Sequence, residues 1–213
     1  MPTSDQPLMH KVYSNPFTIA VVYSILIWWM VCPPQFNITT DLIGYLGSDT
    51  IDTLSLRWAF WNSDAHFFPV GWNAIQVTPN FMDHLLFLPL LNLPFPLADN
   101  LWWILNLWFS MLAAHAFGRS LQPTSHAAGW LAGMSLLCGD TIFRDMNWGH
   151  APQIMWWAPL LCLTYLSKWH SDRKQKWLLW SGCWLGIAGS CYFYFMPFIL
   201  LVTIPLWMAY KRT

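Results

Sequence analysis

Residues 98–119 read ADNLWWILNLWFSMLAAHAFGR, a stretch of 22 residues in which the only fixed charges, Asp99 and Arg119, stand at its two ends. A helix needs about 20 mostly apolar residues to cross the hydrocarbon core of a bilayer, because each residue rises only about 1.5 Å. This stretch is long enough and apolar enough to do so. Working outward from it, segments 17–32, 124–141, 151–168, 177–191 and 193–210 have the same character, the last two separated by the aromatic step Tyr192 to Tyr194. The expectation is an all-α polytopic integral membrane protein with six transmembrane helices in a single transmembrane domain, residues 1–213.

Composition leads the same way. Of 213 residues, 56% are hydrophobic and 9% charged, and there are 17 Trp and 14 Phe. Soluble domains carry about 25% charged residues, and a chain this poor in charge could not cover a water-facing surface. Net charge is zero, which gives no electrostatic footprint for nucleic acid. The five cysteines, Cys32, Cys138, Cys162, Cys183 and Cys191, have neither CxxC nor metal spacing and sit in or at the end of apolar runs, where a thiol packs as a small hydrophobe. The first apolar run ends in Cys32-Pro33-Pro34 with no small-residue cleavage site, so it is expected to be a retained helix rather than a signal peptide.

The run 81–93 is shorter, holds Asp83 and His84, and is interrupted by Pro89. Loop charge decides how to treat it, since Lys and Arg favour cytoplasmic loops near span ends. With the N-terminus cytoplasmic and 81–93 left out of the spans, Lys11, Arg119, Lys168, Arg173, Lys174, Lys176, Lys211 and Arg212 all fall inside. Only Arg57 and Arg144 fall outside, together with Asp41, Asp49, Asp52, Asp64, Asp83, Asp99, Asp140 and Asp145. Counting 81–93 as a span would reverse the Lys168–Lys176 cluster. It is therefore expected to lie in the interface or to re-enter. An extracytoplasmic loop, 33–97, follows, with an amphipathic helix over 49–62 whose Ile51, Leu54, Trp58 and Trp61 recur at spacings of three and four. Ser48 would cap it.

Three polar clusters then share the outer face: Gly47 to Asp52, Thr78 to His84, and Gly139 to His150. Carboxylates beside Arg and His at a membrane boundary can bind a phosphorylated, sugar-bearing amphiphile, the carboxylate acting as base and the cations holding an anionic leaving group. The plainer readings are helix capping for Asp49 and Asp52 and a weak exposed ion pair among Asp140, Arg144 and Asp145. His115 is expected to be a hydrogen-bonded packing residue. The Trp pairs at 28–29, 102–103 and 156–157 are expected to be interfacial or lipid-facing. Asn37-Ile38-Thr39 matches a glycosylation sequon.

The order of these features resembles the N-terminal half of GT-C-type bacterial membrane glycosyltransferases that use polyprenyl-phosphate-linked sugars. The residues that carry the likeness are Gly47-Ser48-Asp49 followed by Trp58-Ala59-Phe60-Trp61, then Pro79-Asn80 and the Pro-broken segment Leu85 to Pro94. Asn100 to Arg119 follows, then Gly129, Gly133, Arg144, Gly149-His150, Gln153, Trp157-Ala158-Pro159-Leu160, a basic loop, and Tyr192 with Tyr194. The resemblance implies inverting transfer of a sugar from a polyprenyl-phosphate donor to a glycan, lipid or protein acceptor at the outer face of a bacterial inner membrane. Asp49 would be the catalytic base. Asp52, Asn80, His84, Arg144, Asp145, His150 and Gln153 would bind substrate, Arg144 and His150 at the donor phosphate. Ser48 splits the usual Gly-Asp pair, which keeps Asp52 in contention with Asp49. No cofactor is implied with certainty, although Asp49 and Asp52, three apart on a helix, could share a divalent cation. Such enzymes continue beyond six spans, so the chain is expected to be the N-terminal portion of one or a shortened relative. The alternative is a non-catalytic membrane subunit or lipid-binding assembly protein of the same fold. A transporter ranks behind both, because only His115 lies deep enough for a midplane site.

Overall fold

The computed structural model describes residues 14–32, 34–43, 66–67, 72–73, 81–140, 151–192 and 194–210. Among these residues it holds seven α-helices: α1 (Pro16–Val31), α2 (Phe81–Phe87), α3 (Phe95–Leu121), α4 (His126–Leu137), α5 (Trp157–Asp172), α6 (Gln175–Cys191) and α7 (Phe195–Tyr210). Short 3-10 turns cover Leu88–Leu90 and Ala151–Ile154. The exception to the helical architecture is a minimal antiparallel ribbon pairing His66 with Asn73 and Phe67 with Trp72.

Local chemistry sets the helix ends. The Asn15 carboxamide accepts from the Phe17 amide at 2.9 Å, with Pro16 opening α1, the usual solution for orphan N–H groups. Ser125 does the same for Ala128 at 3.3 Å at the start of α4. Pro89 allows only the short turn after α2, because it has no amide to donate and clashes with the preceding helical turn. The α5–α6 hairpin closes on Arg173 in the left-handed region (φ 55°), its amide bonded to the Trp169 carbonyl at 2.8 Å.

The long helix α3 is the spine, and α1, α4, α5 and both 3-10 turns pack on it. It runs parallel to α5, because Ser110 bonds near the start of α5 while Ser120 accepts from Ser167 near its end, at 3.1 Å. The contact with α4 uses small residues: Gly118 lies against the Ala128 backbone and the Ala132 side chain, Gly129 against His115, and Gly133 against Tyr23. A spacing of four puts Gly129 and Gly133 on one face, so two helices can approach closely. Into that seam fit Tyr23 and His115, both buried, with Oη to Nδ1 at 3.0 Å. His115 is thus a hydrogen-bonded packing residue.

Each of the six apolar segments holds a helix, with shifted ends. The second starts three residues earlier and ends two later than expected, and the third is only 12 residues long. One helix, Phe95–Leu121, is long and apolar enough by itself to cross a membrane, while Pro16–Val31 and Phe195–Ile204 are apolar but shorter. The outward faces are apolar: Trp29 is 77% exposed, Leu179 70% and Leu131 67%. The Trp pairs divide. Trp28 and Trp29 face outward, but Trp102 and Trp103 are fully buried, which corrects the lipid-facing expectation for that pair. At the start of α3 the 34–43 turn is tied to Asn100, and Trp102 lines a cavity together with Met82 and Leu86 of α2. Of the cysteines, Cys32, Cys162 and Cys191 are buried and Cys138 and Cys183 exposed, all as free thiols.

Candidate functional site

Asp49, Asp52, Asn80, Arg144, Asp145 and His150 lie outside the described residues, as does the expected helix over 49–62. His84 sits on α2, but its side chain also lies outside what is described. Gln153 is half-buried on the second 3-10 turn. What the structure does define is how the chain flanking each of the three polar clusters is held.

The first flank, residues 34–43, leads toward Asp49. Within it Asn37 accepts from the Thr39 amide and hydroxyl at 3.0 and 2.7 Å, and the Asp41 carboxylate accepts from the Asn37 amide at 2.8 Å. The sequon asparagine is thus folded into a tight polar turn. Asn100, fully buried in α3, fastens that turn. Its Oδ1 accepts from the Ile43 amide at 2.8 Å, and its Nδ2 donates to the carbonyls of Ile38 (2.9 Å) and Asp41 (2.6 Å).

The second flank is α2. Asp83 is completely buried in its first turn, in Coulombic range of Cys191 at the end of α6. The third flank is the 3-10 turn that carries Gln153 from the Arg144–His150 stretch into α5. Ser110 holds it from both sides, donating to the Ile154 carbonyl at 3.0 Å and accepting from the Trp157 amide at 3.1 Å. Asn106 accepts from the Trp157 indole at 2.9 Å and donates to the Trp102 carbonyl at 2.9 Å.

The first and third flanks are tied to α3 directly, through Asn100 and Ser110, and the second reaches it through the 3-10 turn that follows α2, while α2 itself packs on α6. Between α2, α3, α5 and α6 lies a cavity of about 550 Å³, walled by Met82, Leu86, Leu90, Trp102, Leu105, Phe109, Leu161 and Trp184, with Asn106 and Trp157 also lining it. Its walls are nearly all hydrocarbon and aromatic ring, suited to an apolar chain and not to a free sugar. Among the described residues no group of three His, Cys or Asp side chains is placed to hold a metal ion. Compared with known protein families, with curated proteins and with solved structures, the chain finds no match in any of the three.

Asn100, Asn106 and Ser110 are the site-building residues that sequence reasoning did not single out for these roles. A signal was available. Asp99, Asn106 and Ser110 recur at spacings of seven and four, one helical face, on a helix whose other residues are overwhelmingly apolar.

Proposed function

We propose that the chain is a polytopic membrane protein and the donor-binding portion of a glycosyltransferase that uses a polyprenyl-phosphate-linked sugar. The membrane part of this reading draws on the outward-facing Trp29, Leu131, Leu179 and Leu201, a continuous apolar exterior that in water would drive aggregation. The observation that carries the enzymatic part is an apolar cavity walled by α2 and by Trp157, each next in sequence to one of the polar clusters, on a helix, α3, that also fastens the 34–43 turn through Asn100. The cavity offers hydrocarbon for the prenyl chain, and the adjoining clusters would supply polar contacts to the sugar phosphate.

In this reaction the Asp49 carboxylate takes the proton of an acceptor hydroxyl while that oxygen attacks the anomeric carbon. The bond from anomeric carbon to phosphate oxygen breaks, and polyprenyl phosphate leaves from the opposite face with inversion. Arg144 and His150 offset the charge building on the leaving phosphate, and Gln153 follows on the turn fixed by Ser110. Asp52, Asn80, His84 and Asp145 contribute the remaining polar contacts; Asp49 and Asp52 would be the residues to hold a divalent cation, which would supply further positive charge for the phosphate.

The test is transfer from radiolabelled polyprenyl-phosphate hexose or pentose in membranes holding the wild-type or the Asp49→Asn chain. Loss of a general base should lower the rate by about 10²–10⁴-fold with insertion unchanged. An unaltered rate removes Asp49 from the chemistry and favours the lipid-binding subunit instead.

A further inference from the structure

The end of the fold remote from these three flanks has its own cavity. It lies where α3 and α5 finish, has a volume of about 620 Å³, and is walled by Phe117, Leu121, Leu163 and Leu166 with His170 and Ser171 at its edge. Leu121 and Ile204 stand at it 57% and 52% exposed, so the apolar part opens outward. Beside it runs the α5–α6 hairpin, whose residues 168–176 carry four basic side chains, Lys168, Arg173, Lys174 and Lys176, and one carboxylate, Asp172. That carboxylate is already engaged, accepting from the Trp177 indole at 3.2 Å and lying 3.9 Å from the Lys174 ammonium.

Aromatic rings hold the cations in place. The Arg173 guanidinium stands 4.9 Å from the ring centre of Trp169, itself a wall of the cavity. Lys168 lies 5.2 Å from both Tyr165 and Trp177, and Lys176 4.4 Å from Trp177. Arg173 also occupies a left-handed position, which glycine fills at much lower steric cost. Keeping an arginine there makes sense if its side chain has work that glycine could not do.

We propose that this cavity and hairpin form a binding site for one anionic glycerophospholipid, an acyl chain lying along Phe117, Leu163 and Leu166 and the phosphate under the Arg173–Lys176 hairpin. Hydrocarbon, a polar edge and an excess of positive charge follow one another from cavity to hairpin, the order in which such a lipid presents its parts at a membrane surface. The proposal rests on the membrane reading above but not on glycosyl transfer, and the site is distinct from the donor cavity beside Trp184.

The full chain is reconstituted in phosphatidylcholine vesicles containing 10 mol% of either brominated phosphatidylglycerol or brominated phosphatidylcholine, and tryptophan quenching is compared. The expected result is an anionic-lipid preference of about fivefold or more, the factor for one basic residue at a membrane surface. Trp169→Phe should remove most of that excess and Trp184→Phe should leave it. The triple variant R173Q/K174Q/K176Q, altered only at exposed positions, should abolish it. Equal quenching by the two brominated lipids overturns the proposal while leaving the membrane reading intact; no quenching by either, with failure to float with vesicles, removes both. A preference that survives the triple variant, or that millimolar inorganic phosphate abolishes, also overturns it, the latter in favour of a free-anion site.

Discussion

Replacing Asn100 by Ala should free the segment that leads to Asp49 while leaving the helices intact. The side chain makes three hydrogen bonds to backbone groups of Ile38, Asp41 and Ile43. Each such bond contributes a net of about 0.5–1.5 kcal/mol, so together they hold the turn by roughly 2–4 kcal/mol. Local opening of 34–43 should then become about 30- to 1,000-fold more frequent, at 1.4 kcal/mol per factor of ten. Hydrogen exchange followed by mass spectrometry reads this directly. The peptide containing Ile43 should lose protection, and a peptide inside α3 should keep it. Asn100→Asp retains the acceptor for the Ile43 amide but loses both donors, so that variant should fall between wild type and Asn100→Ala at Ile43. If the proposed transfer holds, Asn100→Ala should lower kcat in the transfer assay, because the turn leads to Asp49, the proposed base. The reasoning is refuted if exchange at 34–43 rises less than threefold, or if α3 loses protection in parallel.

Other outcomes follow from the helix seams. Gly133→Ala drives a methyl group into the Tyr23 ring, with Cζ at 2.6 Å, and should lower Tm by the equivalent of about 1–3 kcal/mol of overpacking. Gly182→Ala, where nothing lies within 4 Å, should hold or raise Tm through helix propensity. Tyr23→Phe strips the partner from the buried His115 Nδ1 and should cost about 1–3 kcal/mol, measured as a shift in the thermal or denaturant midpoint. Cysteines placed at Ser48 and Asn147, with the exposed Cys138 and Cys183 changed to Ser, should both react with an impermeant maleimide from the same side of intact membranes. Reaction from opposite sides would end the shared-site reading.

Where helices fall was legible because apolar runs broken by proline and capped by Asn15 or Ser125 leave few alternatives. How they bury themselves was less legible. Trp102 and Trp103 look interfacial in sequence, since paired tryptophans near a span end usually are. Their burial comes with the packing of α1, α4, α5 and the two 3-10 turns around α3, a long-range event without a local signature. Asn100 was visible as a polar residue opening a long apolar run, but its partners are backbone groups some 60 positions earlier, and backbone partners leave no trace in side-chain identity. The candidate site was read in the sequence as chemistry, at Asp49, Arg144 and His150, all of which lie outside the described residues. The described structure adds its supports instead: Asn100, Asn106 and Ser110.

Those supports have a physical logic of their own. In hydrocarbon, every backbone amide and carbonyl outside a helix needs a partner from the protein itself. Two segments tied to α3, at Ile38–Ile43 and Ile154–Trp157, are irregular backbone of this kind. α3 answers both, through Asn100 for the first and Ser110 for the second. At the other end of α3 the neighbours are regular helices, and there the contacts are glycine, alanine, the Tyr23–His115 pair and the Ser167 hydroxyl on the Ser120 carbonyl. One helix thus spends its polar side chains where the chain leaves helical geometry and its small residues where it does not. On the membrane reading, non-helical backbone at that depth survives only when it is buried in protein or lines a cavity, and Trp157, at the end of the second of these segments, lines the 550 Å³ cavity. The same requirement that keeps these turns folded sets Asn106 and Trp157 in the wall of an apolar cavity, and under the proposed function that cavity would take the prenyl chain of the donor.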